Sequence, residues 1–241
     1  MTAVAALREE AVFEPELSPA SRGEALARYR LAREISRRHN ANLLESLPKD
    51  AIFQHARRLG MYQGKTLVLD DWDDLTLAVD LAIHTAPPGR SRAIDRYVDS
   101  VGPKRDSEEA IVLEAMREAR FAILLIRERH PAAGVIVTDL FRKTDLWLMD
   151  EGLELSMPDN SALATRYYTI GPFIMTAGVC LPIGREALEW AIESTPQLMR
   201  KPYAEAIQDR RFAEAVYRGA LEDGTMGRVQ LRDVPSRDSE T

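Results

Sequence analysis

The sequence holds a single cysteine, Cys180, among 241 residues. That scarcity excludes a disulfide-stapled scaffold, which needs paired cysteines, and a cysteine-built zinc centre, which needs several. Histidine is almost as sparse: His39, His55, His84 and His130 are scattered, none three or four residues from another His or Cys and none in an HExxH pattern, so no metal set is expected. No GxSxG nucleophile elbow occurs anywhere. Long apolar runs are missing too. The longest, such as 174–183, are interrupted by Thr, Gly and Pro and fall short of the roughly 20 residues that a membrane span needs. At the N-terminus Arg8, Glu9 and Glu10 interrupt any apolar core of a signal peptide. A cytoplasmic protein with no membrane partner and no cofactor is the expectation.

An excess of basic charge is also absent. Thirty-two Lys and Arg stand against 38 Asp and Glu, a formal charge of −6, which disfavours a wholly basic nucleic-acid binder. The charge is unevenly placed. Residues 21–60 carry nine bases and four acids, whereas Asp70, Asp71, Asp73, Asp74 and Asp80 follow with no base among them. What is plentiful is apolar side chain, at 45%, enough for a substantial core.

The periodicity divides the chain. Residues 1–20 carry Pro15 and Pro19 among scattered charges and read as a flexible leader. Ala25, Tyr29, Ala32 and Ile35 recur at helical spacing, with a break expected near residues 39–42. SLPKDAIFQHARRLG follows as a short helix, with Ser46 as candidate cap, Pro48 in the first turn and Gly60 at the end. A brief extended piece at 66–69 precedes a helix through Leu75, Val79, Leu81 and Ile83, capped by Asp70 or Asp71 and ended by Pro87, Pro88 and Gly89. SRAIDRYVDSV and DSEEAIVLEAMREARFAILLIRERH read as two more helices, although the final third of the second is apolar enough for a strand.

After Pro131 the sequence becomes β-branched and aromatic. GVIVTDLFRKTDLWLMDEG and LATRYYTIGPFIMTAGVCLPIG each read as a hairpin, giving four strands in a meander that either curls into a small barrel or packs on the helical lobe. EGLELSMPDN, residues 151–160, is the longest irregular piece between them. Helical stripes return in REALEWAIES and PYAEAIQDRRFAEAVYRGALEDG, and residues 225–241 read as a polar tail. The expected fold is α+β: a helical lobe at 21–131, a small antiparallel β module at 132–183, and C-terminal helices at 184–224 that pack back.

Residues 51–183, carrying ARRLGMYQGKTLVLDDWDDLTLAVDLAIH, VIVTDLFRKTDLWLMDEGLELS and ALATRYYTIGPFIMTAGVCLPI, resemble an uncharacterised bacterial protein family. The β segment is similar to a module of proteins that carry the SEC-C zinc motif, through Asp139–Leu140 before the first turn and Asp150-Glu151-Gly152 after the second strand. One cysteine cannot supply that motif, so the resemblance implies a shared fold and no transferred chemistry.

Several constellations invite a functional reading. GMYQGKT, residues 60–66, approaches a P-loop but has three residues between its glycines where four are required, and a helix precedes it; a helix cap and tight turn explain it. ARRLGM opens like a helix-turn-helix, but an aspartate-rich stretch follows where a basic recognition helix is needed. The aspartate cluster lacks the alternation, central Gly and terminal Glu of an EF-hand, which leaves capping. Cys180, between Val179 and Leu181, reads as a small buried hydrophobe. Trp147, Tyr167 and Tyr168 suit the core or a ligand pocket.

Three function classes follow. The favoured one is a non-catalytic binding or adaptor protein, with the β module and residues 151–160 meeting a protein partner. The second is nucleic-acid association through Arg30, Arg33 and Arg37, which share one helical face. The third is an enzyme using Asp139, Asp150 or Glu151, with Asp139 expected opposite Asp150 across the first hairpin when pairs are counted outward from Thr144.

Overall fold

Strand β3 (Arg120–Arg129) shows why its stretch of sequence is ambiguous: residues 121–124 are buried in succession, because both faces of the strand are covered. Ala122, Leu124 and Ile126 point into a barrel, while Phe121 and Ile123 point outward to helices. The preceding helix, α5 (Glu108–Arg117), is capped by Ser107 Oγ accepting from Ala110 N, and it stops three residues before the strand. The final third of that stretch is therefore strand, and the barrel begins inside the region that the sequence assigned to the helical lobe.

The computed structural model describes residues 22–69, 73–156 and 160–223. The expected leader (1–20), the tail (225–241) and the cap candidates Asp70 and Asp71 lie outside them. Before α5 come α1 (Arg22–Ser46), α2 (Lys49–Arg58), a two-stranded ribbon of β1 (Tyr62–Gln63) and β2 (Thr66–Leu67), α3 (Asp74–His84) and α4 (Ala93–Val101). Helix α1 runs unbroken through residues 39–42, where a break was expected, because Leu43 continues the buried stripe of Tyr29, Ile35 and His39. Ser46 ends α1 instead of capping α2, its hydroxyl donating to Leu43 O. Gly60, at φ +83°, turns the chain after α2, so GMYQGKT is a helix end and a tight hairpin.

After β3 the chain forms β4 (Val135–Asp139), β5 (Thr144–Leu148), the short α6 (Glu151–Ser156), β6 (Ala162–Ile170) and β7 (Phe173–Pro182). The residues 151–156, read as irregular, are thus helical, and 157–159 lie outside the described residues. The helices α7 (Arg185–Ser194), α8 (Tyr203–Ala206) and α9 (Arg210–Glu222) are the last elements among the described residues.

The fold is α+β, and its sheet is a closed five-stranded barrel in the order β3-β4-β5-β7-β6, not a four-strand meander. Neighbours are antiparallel except β5 and β7, which run parallel and share one register pair, Leu148 with Ile174. The interior is filled by Leu124, Ile126, Val137, Leu163, Tyr167 and Ile174 among others. Two helical layers wrap the outside. One, from α2, α3 and α7 to α9, packs Phe212 and Tyr217 edge-on against Phe121. The other, from α1, α4 and α5, covers Trp147, Met149, Tyr168 and Phe173. Trp147, Tyr167 and Tyr168 are all core residues, and Trp147 Nε1 donates to Ala133 O at 2.6 Å. Helix α3 joins both layers, giving Leu77 and Leu81 to the first and Ile83 to the second.

Candidate functional site

Arg33, on the barrel-facing side of α1, reaches the seam between β5 and β7. Its guanidinium donates to Thr176 O at 2.9 Å, to Thr176 Oγ1 at 3.1 Å and to Asp150 Oδ2 at 3.0 Å. Asp150 and Thr176 each stand two residues beyond Leu148 and Ile174, the one register pair of the seam. Met149 N adds a bond to Ile174 O at 2.9 Å. The planar fork of an arginine thus occupies the place of the next parallel rung. Nearby, Arg30 pairs with Glu151 at 2.7 Å and Arg22 with Glu154 at 2.8 Å. Arg37 is exposed and makes no ion pair among the described residues.

Two sets of residues that the sequence treated as separate sites therefore meet: Arg30 and Arg33 of the basic helix with Glu151 and Asp150 of the hairpin. Asp139 and Asp150, expected to face one another, stand at opposite ends of the first hairpin. The register pairs Asp139 with Thr144 and Val135 with Leu148, because the turn occupies residues 140–143, upstream of the Thr144 centre from which the counting was made. Asp139 is fully buried; Oδ1 accepts from the Phe141 and Arg142 amides and Oδ2 pairs with Arg142 at 2.5 Å. Asp150 Oδ1 accepts from the Gly152 and Leu153 amides at the start of α6.

A different place carries open space. Between the C-terminal part of α1, helix α3 and the end of β7 lies a cleft of about 460 Å³, a size usual for ligand sites. Helix α1 lines it with Asn40, Ala41 and Leu44. Helix α3 contributes Thr76, Val79, Asp80, Ile83 and His84, a single stripe at helical spacing. Strand β7 contributes every residue from Ala177 to Pro182.

Burial sets the chemistry of this lining. Asp80 accepts from Arg166 Nε at 2.9 and 3.1 Å and from Tyr217 Oη at 2.9 Å, joining α3 to β6 and α9. Burial, with the Asp80 carboxylate beside it, holds the Tyr217 phenol well above its usual range. His84 is pushed down to about 4 by burial, so the ring is neutral at pH 7, and its Nδ1 is buried without a hydrogen-bond partner. Burial pushes the Cys180 thiol up to about 12, which leaves it protonated and a poor nucleophile.

The remaining histidines are also built into the packing. His39 bridges Tyr97 Oη at 2.8 Å and Glu109 Oε1 at 2.9 Å where α1, α4 and α5 meet. His130 stacks on Trp147, their rings 3.9 Å apart. Among the described residues no cluster suits a metal ion, and no helix is long and apolar enough to cross a membrane.

Barrel, helical layers and cleft define an α+β protein with a filled β-barrel and a largely apolar cleft outside it. The sequence model of DUF7986, a family of unknown function, matches residues 23–227, and the chain belongs to that family. No curated protein and no solved structure matches it.

Proposed function

We propose that this protein is a non-catalytic binding protein whose partner enters the cleft between α1, α3 and β7. The observation that carries this reading is the state of the lining. Leu44, Val79, Ile83, Val179 and Leu181 offer apolar walls, and beyond Asp73 at the start of α3 the ionisable groups of the lining are held neutral or already paired: a protonated Cys180, a neutral His84 and an Asp80 occupied by Arg166 and Tyr217. Such a site recognises shape and apolar surface and does not transfer protons.

The cleft is preferred over residues 151–160 because α6 is tied down, Glu151 to Arg30 and Glu154 to Arg22 and the Gly134 amide. It is preferred over the hairpin carboxylates because Asp139, Asp150 and Glu151 each pair with an arginine. The arginine face of α1 gains no support as a phosphate-binding surface, since two of its three arginines are engaged.

The test uses Nile red, a neutral apolar dye whose fluorescence rises on burial. Wild-type protein is expected to bind it saturably, and Ala41→Phe, which fills the cleft from an exposed position on α1, to abolish binding while melting normally. Dye binding unchanged by Ala41→Phe would place the apolar site elsewhere and overturn the reading.

A further inference from the structure

Six consecutive residues of β7, 177–182, line the cleft. Successive strand side chains point to opposite faces, so a wall made by every residue in turn is the edge of the strand, its backbone, and not one of its faces. The pairing agrees. Past Ile174, β6 is the sole strand partner of β7 among the described residues, since β5 pairs with it at Leu148 and Ile174 alone. Arg33 takes the Thr176 carbonyl and Thr165 Oγ1 donates to the Val179 carbonyl at 2.5 Å; the rest of the edge from Ala177 to Pro182 lines the cleft.

Further observations bear on what fits there. Gly178 has φ +142°, and no atom lies within 4 Å of the position a Cβ would take, so another chain can approach the backbone closely. The register shift between Thr165 and Tyr167 places a bulge at the same point of the β6–β7 pair. On the facing wall, the stripe of α3 from Thr76 to His84 spans about 12 Å at 1.5 Å per residue, and the strand edge spans about 16 Å at 3.3 Å per residue, so the cleft is a trough along the strand. His84, nine-tenths buried, lines the same wall with a neutral imidazole.

We infer that the cleft takes an extended, mainly apolar polypeptide segment of a partner protein, which hydrogen-bonds along the open edge of β7 between Ala177 and Pro182 and lays alternate side chains against Val79, Ile83 and Leu44. This rests on the cleft being the binding site and adds the class of occupant. A compact apolar molecule fills the trough without needing the backbone edge. A peptide uses both.

The experiment selects random peptides of about seven residues, enough to span the edge, on the full-length wild-type protein and resynthesises the binders with N-methyl groups on alternate residues. Methylation on the residues whose amides face β7 is expected to weaken binding by about tenfold or more, and methylation on the other set to leave it unchanged. Hydrogen exchange of the 177–181 amides in wild-type protein is expected to slow on peptide binding, and Ala41→Phe to abolish selection. Peptides indifferent to methylation on both sets, or no peptides sensitive to Ala41→Phe, would overturn the inference. In that case Nile red binding that remains sensitive to Ala41→Phe keeps the cleft as the site of a compact apolar ligand, whereas loss of both results removes the cleft itself.

Discussion

Arg33 and Asp150 form an ion pair of 3.0 Å in which the arginine also holds Thr176, so one guanidinium spans the seam of the barrel from the end of β5 to β7. Both side chains are mostly buried. Arg33→Met should lower unfolding stability by about 2–3 kcal/mol, the scale of losing charged hydrogen bonds that are only partly screened. Lysine at the same position should recover only part of this, because an ammonium cannot fork across both partners. Urea titration measures both. Arg30→Ala, which breaks a pair held by an exposed arginine, should leave the midpoint unchanged.

The Asp80, Arg166 and Tyr217 network predicts a graded series. Tyr217→Phe removes one hydrogen bond and should cost about 1–2 kcal/mol. Asp80→Leu leaves Arg166 without its buried partner and should cost about 3–5 kcal/mol. The phenol supplies a pH signature. Its folded value is raised, so the folded state holds the proton more tightly, and stability that is full below the usual tyrosine range is lost as pH rises above it. Burial raises Tyr29, Tyr167 and Tyr168 as well, so ultraviolet titration should show a group of late-ionising tyrosines whose amplitude is smaller in Tyr217→Phe by one phenol.

His84 acts at the other end of the scale. With its folded value near 4 against 6.5 in the unfolded chain, the unfolded state binds the extra proton first. Stability is therefore full above pH 6.5 and falls as pH drops towards 4, by up to about 3 kcal/mol. His55, lowered to about 4 by burial, works in the same direction. Chemical denaturation between pH 7 and 4 should show a shallower loss for His84→Leu than for wild type.

Cys180 should react slowly with iodoacetamide at pH 7, because burial holds the thiol protonated up to about 12. Mass spectrometry of the alkylated protein gives the rate, and a bound occupant of the cleft should slow it further. Cys180→Ala should bind Nile red as wild type does, since the sulfur serves only as part of the wall.

Gly134→Ala should be among the most damaging small substitutions. At φ +75°, a Cβ at this position would stand 2.3 Å from Leu148 O, a backbone atom that cannot swing away. A loss of about 2–4 kcal/mol is expected in thermal or urea unfolding.

Much of the fold was legible because its elements carry local signals. The stripes of α2, α3 and α9, the Gly171-Pro172 turn of the second hairpin and the aromatic character after Pro131 each follow from spacing or turn chemistry within a short window. Strand β3 was ambiguous for a physical reason: burial on both faces erases the alternation that distinguishes a strand from a helix. The placement of Asp139 depended on one turn, and a centre taken about three residues downstream moved its partner from Thr144 to Asp150. The cleft was invisible because its walls come from residues 40–44, 73–84 and 177–182, which only the closed barrel brings together. Cys180, His84 and Asp80 were each seen singly, and no local pattern links them. The arginines of α1 were recognised as a set, and what sequence spacing could not supply was the partners of Arg30 and Arg33, more than 100 residues away.

A barrel whose last gap is bridged by a helix does not end where its strands end. The wall between β5 and β7 consists of one strand pair and then a side chain from α1, so residues 22–46 are part of the circumference of the β structure although they contain no strand. Cutting the chain at the start of β3 would yield all five strands and leave the β5–β7 seam held by its one register pair and the Met149 amide alone, without the arginine that extends it. The piece that keeps this bridge is set by where Arg33 lies, more than 100 residues before the first strand it helps to hold.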